Sequence, residues 1–347
     1  MHVPDGFFDA PTSIATGLIA AGAVGFSLRR ANREIRETGP ALAGLTAAFV
    51  FAVQMVNFPV GAGTSGHLLG GALAAALVGP WTAVLVMSTV LLVQGLLFAD
   101  GGLTALGTNI TLMAVITVIV GYFVTRALLT ALPKRVGTVV PAATIGAFVS
   151  VPVAALAFTG LYMIGGAVEI PIGKLATAMV GWHLLVGLGE AVITAAVLSA
   201  VVATRPDLVY AARHLKADLV LVDADGNTST VAADKPIGAR PAGRSYGIAV
   251  AATLLIAGVV SLFASAHPDG LEFVGAKLGF ESAAKDSAVA GSPLADYGVT
   301  GIGNEQVSGA LAGIIGVLVT IVVGLAIAKV AALRSSARTE QPDLIKS

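Results

Sequence analysis

Ala176-Thr177-Ala178-Met179-Val180-Gly181-Trp182-His183-Leu184-Leu185-Val186-Gly187-Leu188-Gly189-Glu190-Ala191-Val192-Ile193-Thr194-Ala195-Ala196-Val197-Leu198-Ser199-Ala200-Val201-Val202-Ala203 decides the fold class. Within it Glu190 is the one Asp, Glu, Lys or Arg. A helix rises about 1.5 Å per residue, so a run of this length crosses the roughly 30 Å hydrocarbon core of a bilayer. Further apolar runs lie near 13–28, 41–58, 67–79, 81–99, 108–125, 138–160, 246–265 and 306–328. Composition points the same way: 56% of residues are hydrophobic and 12% charged, where a soluble domain carries about 25% charged. Mean hydropathy is +0.89. The expected fold is all-α, a polytopic integral membrane bundle of about seven spans followed by a two-span carboxyl-terminal hairpin. The run 67–79 is short and closes on Gly79-Pro80. It predicts either a half-length helix buried among others or part of a broken pair with 81–99, tolerable at membrane depth only where protein surrounds it.

Charge placement gives orientation. If Arg29, Arg30, Arg33 and Arg36 lie on one side, alternation through nine spans puts seventeen of the twenty basic residues there, leaving Lys174, Lys277 and Lys285 opposite. The positive-inside rule then places the amino terminus outside and the carboxyl tail in the cytoplasm of a bacterial cell membrane. Residues 1–12 carry no basic charge, so the first span is not expected to be a cleaved signal peptide. A large second residue, His2, is also expected to keep Met1 in place.

Four segments follow: a bundle over 1–205, a cytoplasmic linker over 206–245, a two-span module over 246–330 and a tail over 331–347. The linker holds a short β-like run, Leu219-Val220-Leu221-Val222, before Asp225-Gly226-Asn227, the pattern of one hairpin. The external loop, 266–305, holds six acids against two lysines. Such a loop either steers cations toward the protein or is an ordinary solvated loop.

The chain has no cysteine, which excludes thiolate zinc sites, iron–sulfur clusters and disulfides. It opens instead on Met1-His2. The α-amine of Met1, the backbone nitrogen of His2 and its Nδ1 can close two fused rings on one ion. That fills three positions of a square-planar nitrogen complex, a geometry that suits Ni(II) or Cu(II). His67, behind the glycine-rich Gly63-Thr64-Ser65-Gly66, is the candidate fourth nitrogen. The bland alternative is a frayed terminus and a helix-capping histidine.

Met1-His2-Val3-Pro4-Asp5-Gly6-Phe7-Phe8 closely resembles the opening of the CbiM/NikM group, the cobalt- or nickel-specific capture (S) components of energy-coupling factor (ECF) ABC transporters. Gln54-Met55-Val56-Asn57-Phe58-Pro59-Val60 running into Gly63–Gly71, then Gln94–Gly102, Leu106–Asn109, and Trp182-His183 leading to Gly187–Glu190, resemble further blocks of that family. His267-Pro268-Asp269-Gly270-Leu271-Glu272 is similar to the PDGLE signature of the small companion subunit, CbiN/NikN, here fused behind the capture component. The resemblance covers roughly 1–205 and 246–330. Val3 stands where isoleucine is usual, and Ala99 where glycine often is.

The resemblance implies Ni(II) or Co(II) as transported substrate, held by Met1, His2 and His67. It implies uptake powered by a CbiQ/NikQ-like coupling subunit and CbiO/NikO-like ATPase subunits, with membrane lipid around the chain and no nucleic-acid partner. Ligating histidines give their other ring nitrogen to an outer partner. Gln54, Asn57, Ser65, Gln94, Asn109 and Glu190 are the intramembrane polar residues available, the bland reading of each being a helix–helix hydrogen bond. His183, two turns before Glu190 on one helix face, is a weaker ligand candidate, and His214 lies in the linker.

Rival classes lack support in the residues. No Gly-x-Ser-x-Gly or His-Glu-x-x-His motif suggests an enzyme, and no Gly-x-x-x-x-Gly-Lys-Ser/Thr loop would let the chain hydrolyse ATP. A self-sufficient secondary transporter or exporter, the alternative, would show an internal repeat and several intramembrane carboxylates, where Glu190 stands almost alone.

Overall fold

The computed structural model describes residues 1–215, 219–222, 228–231 and 242–333. Helix α1 (Ala10–Thr38) starts where Asp9 accepts a hydrogen bond from Thr12 N at 2.8 Å with Pro11 in the first turn. It stops at Gly39, whose φ of 85° no ordinary side chain favours. Pro40 then opens α2 (Pro40–Gln54). A hairpin of β1 (Phe58–Gly61) and β2 (Thr64–Gly66) turns at Ala62 and Gly63, both at positive φ. It leads through an extended segment to α3 (Gly71–Val78) and α4 (Pro80–Leu97). Next come α5 (Leu106–Ala131), whose Ile110–Ile116 portion winds as a π-helix, α6 (Val139–Gly165) and α7 (Ile172–Thr204).

In the linker β3 (Leu219–Val222) and β4 (Thr228–Val231) pair antiparallel, as the β-like run predicts; the turn Asp225-Gly226-Asn227 lies outside the described residues, as do 334–347 of the expected tail. Then follow α8 (Ala242–Gly258), the short α9 (Gly270–Leu278) and α10 (Glu305–Leu333).

Among the described residues seven helical stretches are long and apolar enough to cross a membrane: Ala10–Thr38, Pro80–Leu97, Leu106–Ala131, Val136–Gly165, Ile172–Thr204, Gly243–Phe263 and Glu305–Leu333. The chain is a polytopic helical membrane protein. All nine apolar runs contain helix, but two fall short of full spans. The run 41–58 yields a helix of 15 residues, and 67–79 yields only the eight of α3, all buried. Residues 67–70 leave the helix because Gly70 sits at φ 86° and their backbone groups bond to side chains of other elements. The short, surrounded helix is thus the first of the two forms expected there.

The carboxyl-terminal module is not a satellite. Helix α10 packs along α2, where a Cβ on Gly44 would come within 2.8 Å of Leu325 and one on Gly324 within 3.1 Å of Gly44 Cα. Such small-residue crossings let membrane helices approach closely.

Candidate metal centre

The amino-terminal strap is buried rather than frayed. Met1 is 2% exposed and Val3 fully buried. Asn109, one residue before the π-helical portion of α5, grips Val3 from both sides: its Oδ1 accepts from Val3 N at 2.8 Å and its Nδ2 donates to Val3 O at 3.1 Å. Gly102 N adds a third bond to Val3 O at 2.9 Å. Asp5 then accepts from Thr104 N (2.7 Å) and Leu103 N (3.2 Å). A Cβ on Gly102 would collide with Asp5, so glycine there lets the strap lie against the loop after α4. Beyond it Phe7 packs edge-on to Phe280 at 5.1 Å.

This threading delivers the Met1 amine to His67. The amine is in close contact with His67 Nε2 and lies 2.5 Å from Asp269 Oδ2, which is itself 3.5 Å from His67 Nε2. His67 Nδ1 donates to Leu68 O at 3.0 Å, so in that tautomer Nε2 turns a bare lone pair to the amine. The ring of His2 stacks on that of His67, with centroids 5.0 Å apart and planes 24° apart. His2 Nε2 is 3.2 Å from Gln94 Oε1, and its Nδ1 is 3.2 Å from Asp100 Oδ1.

Burial pushes the His2 imidazole down to about 4 against the opposing pull of Asp100, so at neutral pH it is an uncharged ligand type. With one ring proton it serves one acceptor at a time. Donating from Nε2 to Gln94 leaves Nδ1 bare; donating from Nδ1 to Asp100 leaves Nε2 bare. Burial alone would raise the Asp269 carboxyl, but the Met1 ammonium beside it outweighs burial and holds it well below the usual carboxylate range.

The fused module closes the pocket. Tyr297 OH donates to Asp100 Oδ2 at 2.6 Å and accepts from Gln94 Nε2 at 3.0 Å, while its ring stacks on Phe98 at 4.9 Å. It reaches that position from a backbone at φ 56°, beside Asp296 at φ 54°, two side-chain-bearing residues in the left-handed region. The resulting cavity, about 330 Å³, is lined among others by His2, His67, Gln54, Asp100, Asp269 and Tyr297.

The sequence-derived candidates sort into three groups by contact. Met1, His2 and His67 come together, with Gln94 against His2 and Asn109 on the strap. Gln54 and Glu190 instead hold the segment carrying His67. Gln54 Nε2 donates to Leu69 O at 2.8 Å, and the Glu190 carboxylate accepts from Leu69 N (2.6 Å) and Gly70 N (2.8 Å). Ser65 and Asn57 grip the fused module: Ser65 Oγ donates to His267 O at 2.7 Å, and Asn57 O accepts from Ser265 N at 2.8 Å. His183 Nδ1 donates to Met179 O one turn back at 2.8 Å.

Asp100, Asp269 and Tyr297 are the residues that sequence reading did not place. The sequence offered the acidic loop as a cation-steering or a solvated one; in the structure its Asp269 touches the amine itself. Its signal was the His267–Glu272 motif. Among the described residues no three His, Cys, Asp or Glu side chains form a group able to hold a metal ion.

By class this is a helical membrane protein whose pocket of imidazole and carboxylate side chains is assembled from the two ends of one chain. The profile described as the cobalt uptake substrate-specific transmembrane region, CbiM, matches residues 2–208, and the PDGLE domain matches 244–333. The chain belongs to the CbiM family, a cobalt and nickel transport family, and carries a fused PDGLE domain. It is 40% identical over 211 residues to a protein of Archaeoglobus fulgidus provisionally named a fused nickel transport protein, NikMN, covering 60% of this chain and 68% of that one. It is 39% identical over 171 residues to the cobalt transport protein CbiM of Sorangium cellulosum, covering 48% and 74%. A solved structure titled a truncated transition metal transporter aligns with TM-score 0.52 and 29% identity, covering 58% of this chain and 99% of that one. These relatives are named as metal transport proteins.

Proposed function

We propose that this chain is the substrate-binding S component of an ECF-type importer, capturing Ni(II) or Co(II) on the extracytoplasmic side. The observation that carries the reading is the buried Met1 amine against His67 Nε2, with the His2 ring stacked beside them. In this reading the amine, the His2 amide nitrogen, His2 Nδ1 and His67 Nε2 are the four donors. Gln94 holds the His2 ring through Nε2, and Glu190 and Gln54 hold the His67 segment. The donors suit a square-planar ion, and selection between nickel and cobalt follows from geometry and supply rather than affinity order.

The basic-residue count supports an outside amino terminus, with the pocket opening on that side and the 206–245 linker and 331–347 tail in the cytoplasm. Residues 1–205 are the capture bundle and 246–330 the companion module. Energy comes from a coupling subunit and ATPase subunits, which family membership favours over a self-powered carrier. Titrating the purified protein calorimetrically with Ni(II) and Co(II) tests the reading. One tight site per chain is expected, and its loss is expected in both His2→Ala and His67→Ala. Wild-type affinity in either variant overturns the donor set.

A further inference from the structure

Asp269 divides its carboxylate between two tasks. Oδ1 accepts from Leu271 N (2.7 Å) and Glu272 N (3.0 Å), capping α9, while Asp269 N donates to Glu272 Oε2 at 2.8 Å. Together these make a capping box. Oδ2 is left for the Met1 amine, at 2.5 Å. The cap sits on a fixed base: Leu271 is fully buried, and a Cβ on Gly270 would come within 3.3 Å of the His183 ring. Each residue of Pro268-Asp269-Gly270-Leu271-Glu272 after the proline thus helps aim one oxygen at the amine.

We propose that Asp269 is the counter-charge of the metal site, neutralising its buried positive charge with and without metal and never becoming a ligand. The inference rests on the donor set proposed above. A buried charge is costly unless paired. Asp269 Oδ2 is the carboxylate oxygen that meets the amine, at 2.5 Å, while Asp100, the other carboxylate beside the donors, is engaged by Tyr297 OH at 2.6 Å. The capping box fixes that oxygen in place, so α9 has no need to move when an ion enters. Such an oxygen is a hard donor, poorly matched to a square-planar nitrogen site, which places it beside the metal rather than on it.

The test is Asp269→Asn in the full chain. Asparagine caps a helix about as well as aspartate, so α9 is kept and the charge alone is lost. Ni(II) affinity is read by competition with a chromogenic chelator, and the ligand-field absorption of the bound Ni(II) is recorded. An affinity loss of about 10–100-fold is expected, as for groups just outside a metal's ligands, with the absorption band unmoved.

Unchanged affinity in Asp269→Asn overturns the proposal. So does a shifted band, which would make Asp269 a ligand. A wild-type protein that binds neither ion overturns the donor set itself, an outcome distinct from the other two.

Discussion

The Met1 amine contacts His67 and Asp269 at once, and the strap behind it is pinned at Val3 by Asn109 and Gly102. One added residue would push the amine about 3.8 Å along the chain into a pocket with no spare donor geometry, and put a peptide where the ammonium sits. Any residue placed before Met1 is therefore predicted to abolish tight Ni(II) binding while leaving the bundle folded. A carboxyl-terminal tag should be harmless. Calorimetry on protein with a sequenced, unprocessed terminus checks this, and full affinity in the extended form would end the chelate reading.

His2 adds a pH dependence at the same scale. Its imidazole falls from 6.5 in the free chain to about 4 in the pocket, so the seated form binds fewer protons between those values. Its contribution is complete above pH 6.5 and is lost as pH drops toward 4, by up to about 3 kcal/mol at 1.36 kcal/mol per unit. Hydrogen exchange of residues 1–8, corrected for its intrinsic pH dependence, should show the strap loosening over that window. His2→Ala should flatten the response. Metal affinity should fall faster still, because the ion must also displace protons from the amine and amide.

The element that decides the site is the extended segment between β2 and α3, whose unpaired backbone is satisfied by Glu190 and Gln54. Glu190→Ala would strand two buried N–H groups, each costing about 1–3 kcal/mol. The variant should lose several degrees of thermal stability in detergent, with His67 displaced and metal affinity lowered. Glu190→Gln, keeping one acceptor oxygen, should lie between. A Glu190→Ala protein as stable as wild type would show that water or a neighbour replaces the carboxylate.

This element also marks where sequence reading runs out. The helices were legible because long apolar runs have few alternatives in a bilayer, and Met1, His2 and His67 because nitrogen chelation needs those atoms. An apolar run such as 67–79, by contrast, does not reveal that its first residues are extended, since helix and buried extended chain share that composition. Asp100 and Tyr297 stayed hidden for another reason. Their bonds to each other and to His2 join residues up to 197 positions apart, and no local pattern records such pairings.

At the scale of the whole molecule, the two matched regions share one pocket. The amino-terminal region gives Met1, His2, His67, Gln94 and Asp100; the carboxyl-terminal one gives Asp269 and Tyr297. Further links join them, among them Lys285 N to Asp5 O at 2.8 Å, Ser65 Oγ to His267 O, and the α2–α10 crossing at Gly44 and Gly324. If the acidic loop only steered ions, deleting 246–347 would slow uptake and leave equilibrium affinity within a few-fold. The contacts predict otherwise. Deletion removes the partner of the buried ammonium and the hydroxyl that holds Asp100 and Gln94, so affinity should fall by about 10-fold or more. Residues 242–347 supplied as a separate chain in the same membrane should recover much of it, because every contact named is non-covalent. Competition titrations on the intact, truncated and reassembled proteins measure this, with thermal unfolding to show that the truncated bundle is folded. A folded truncated protein of wild-type affinity would return the carboxyl-terminal module to a kinetic role.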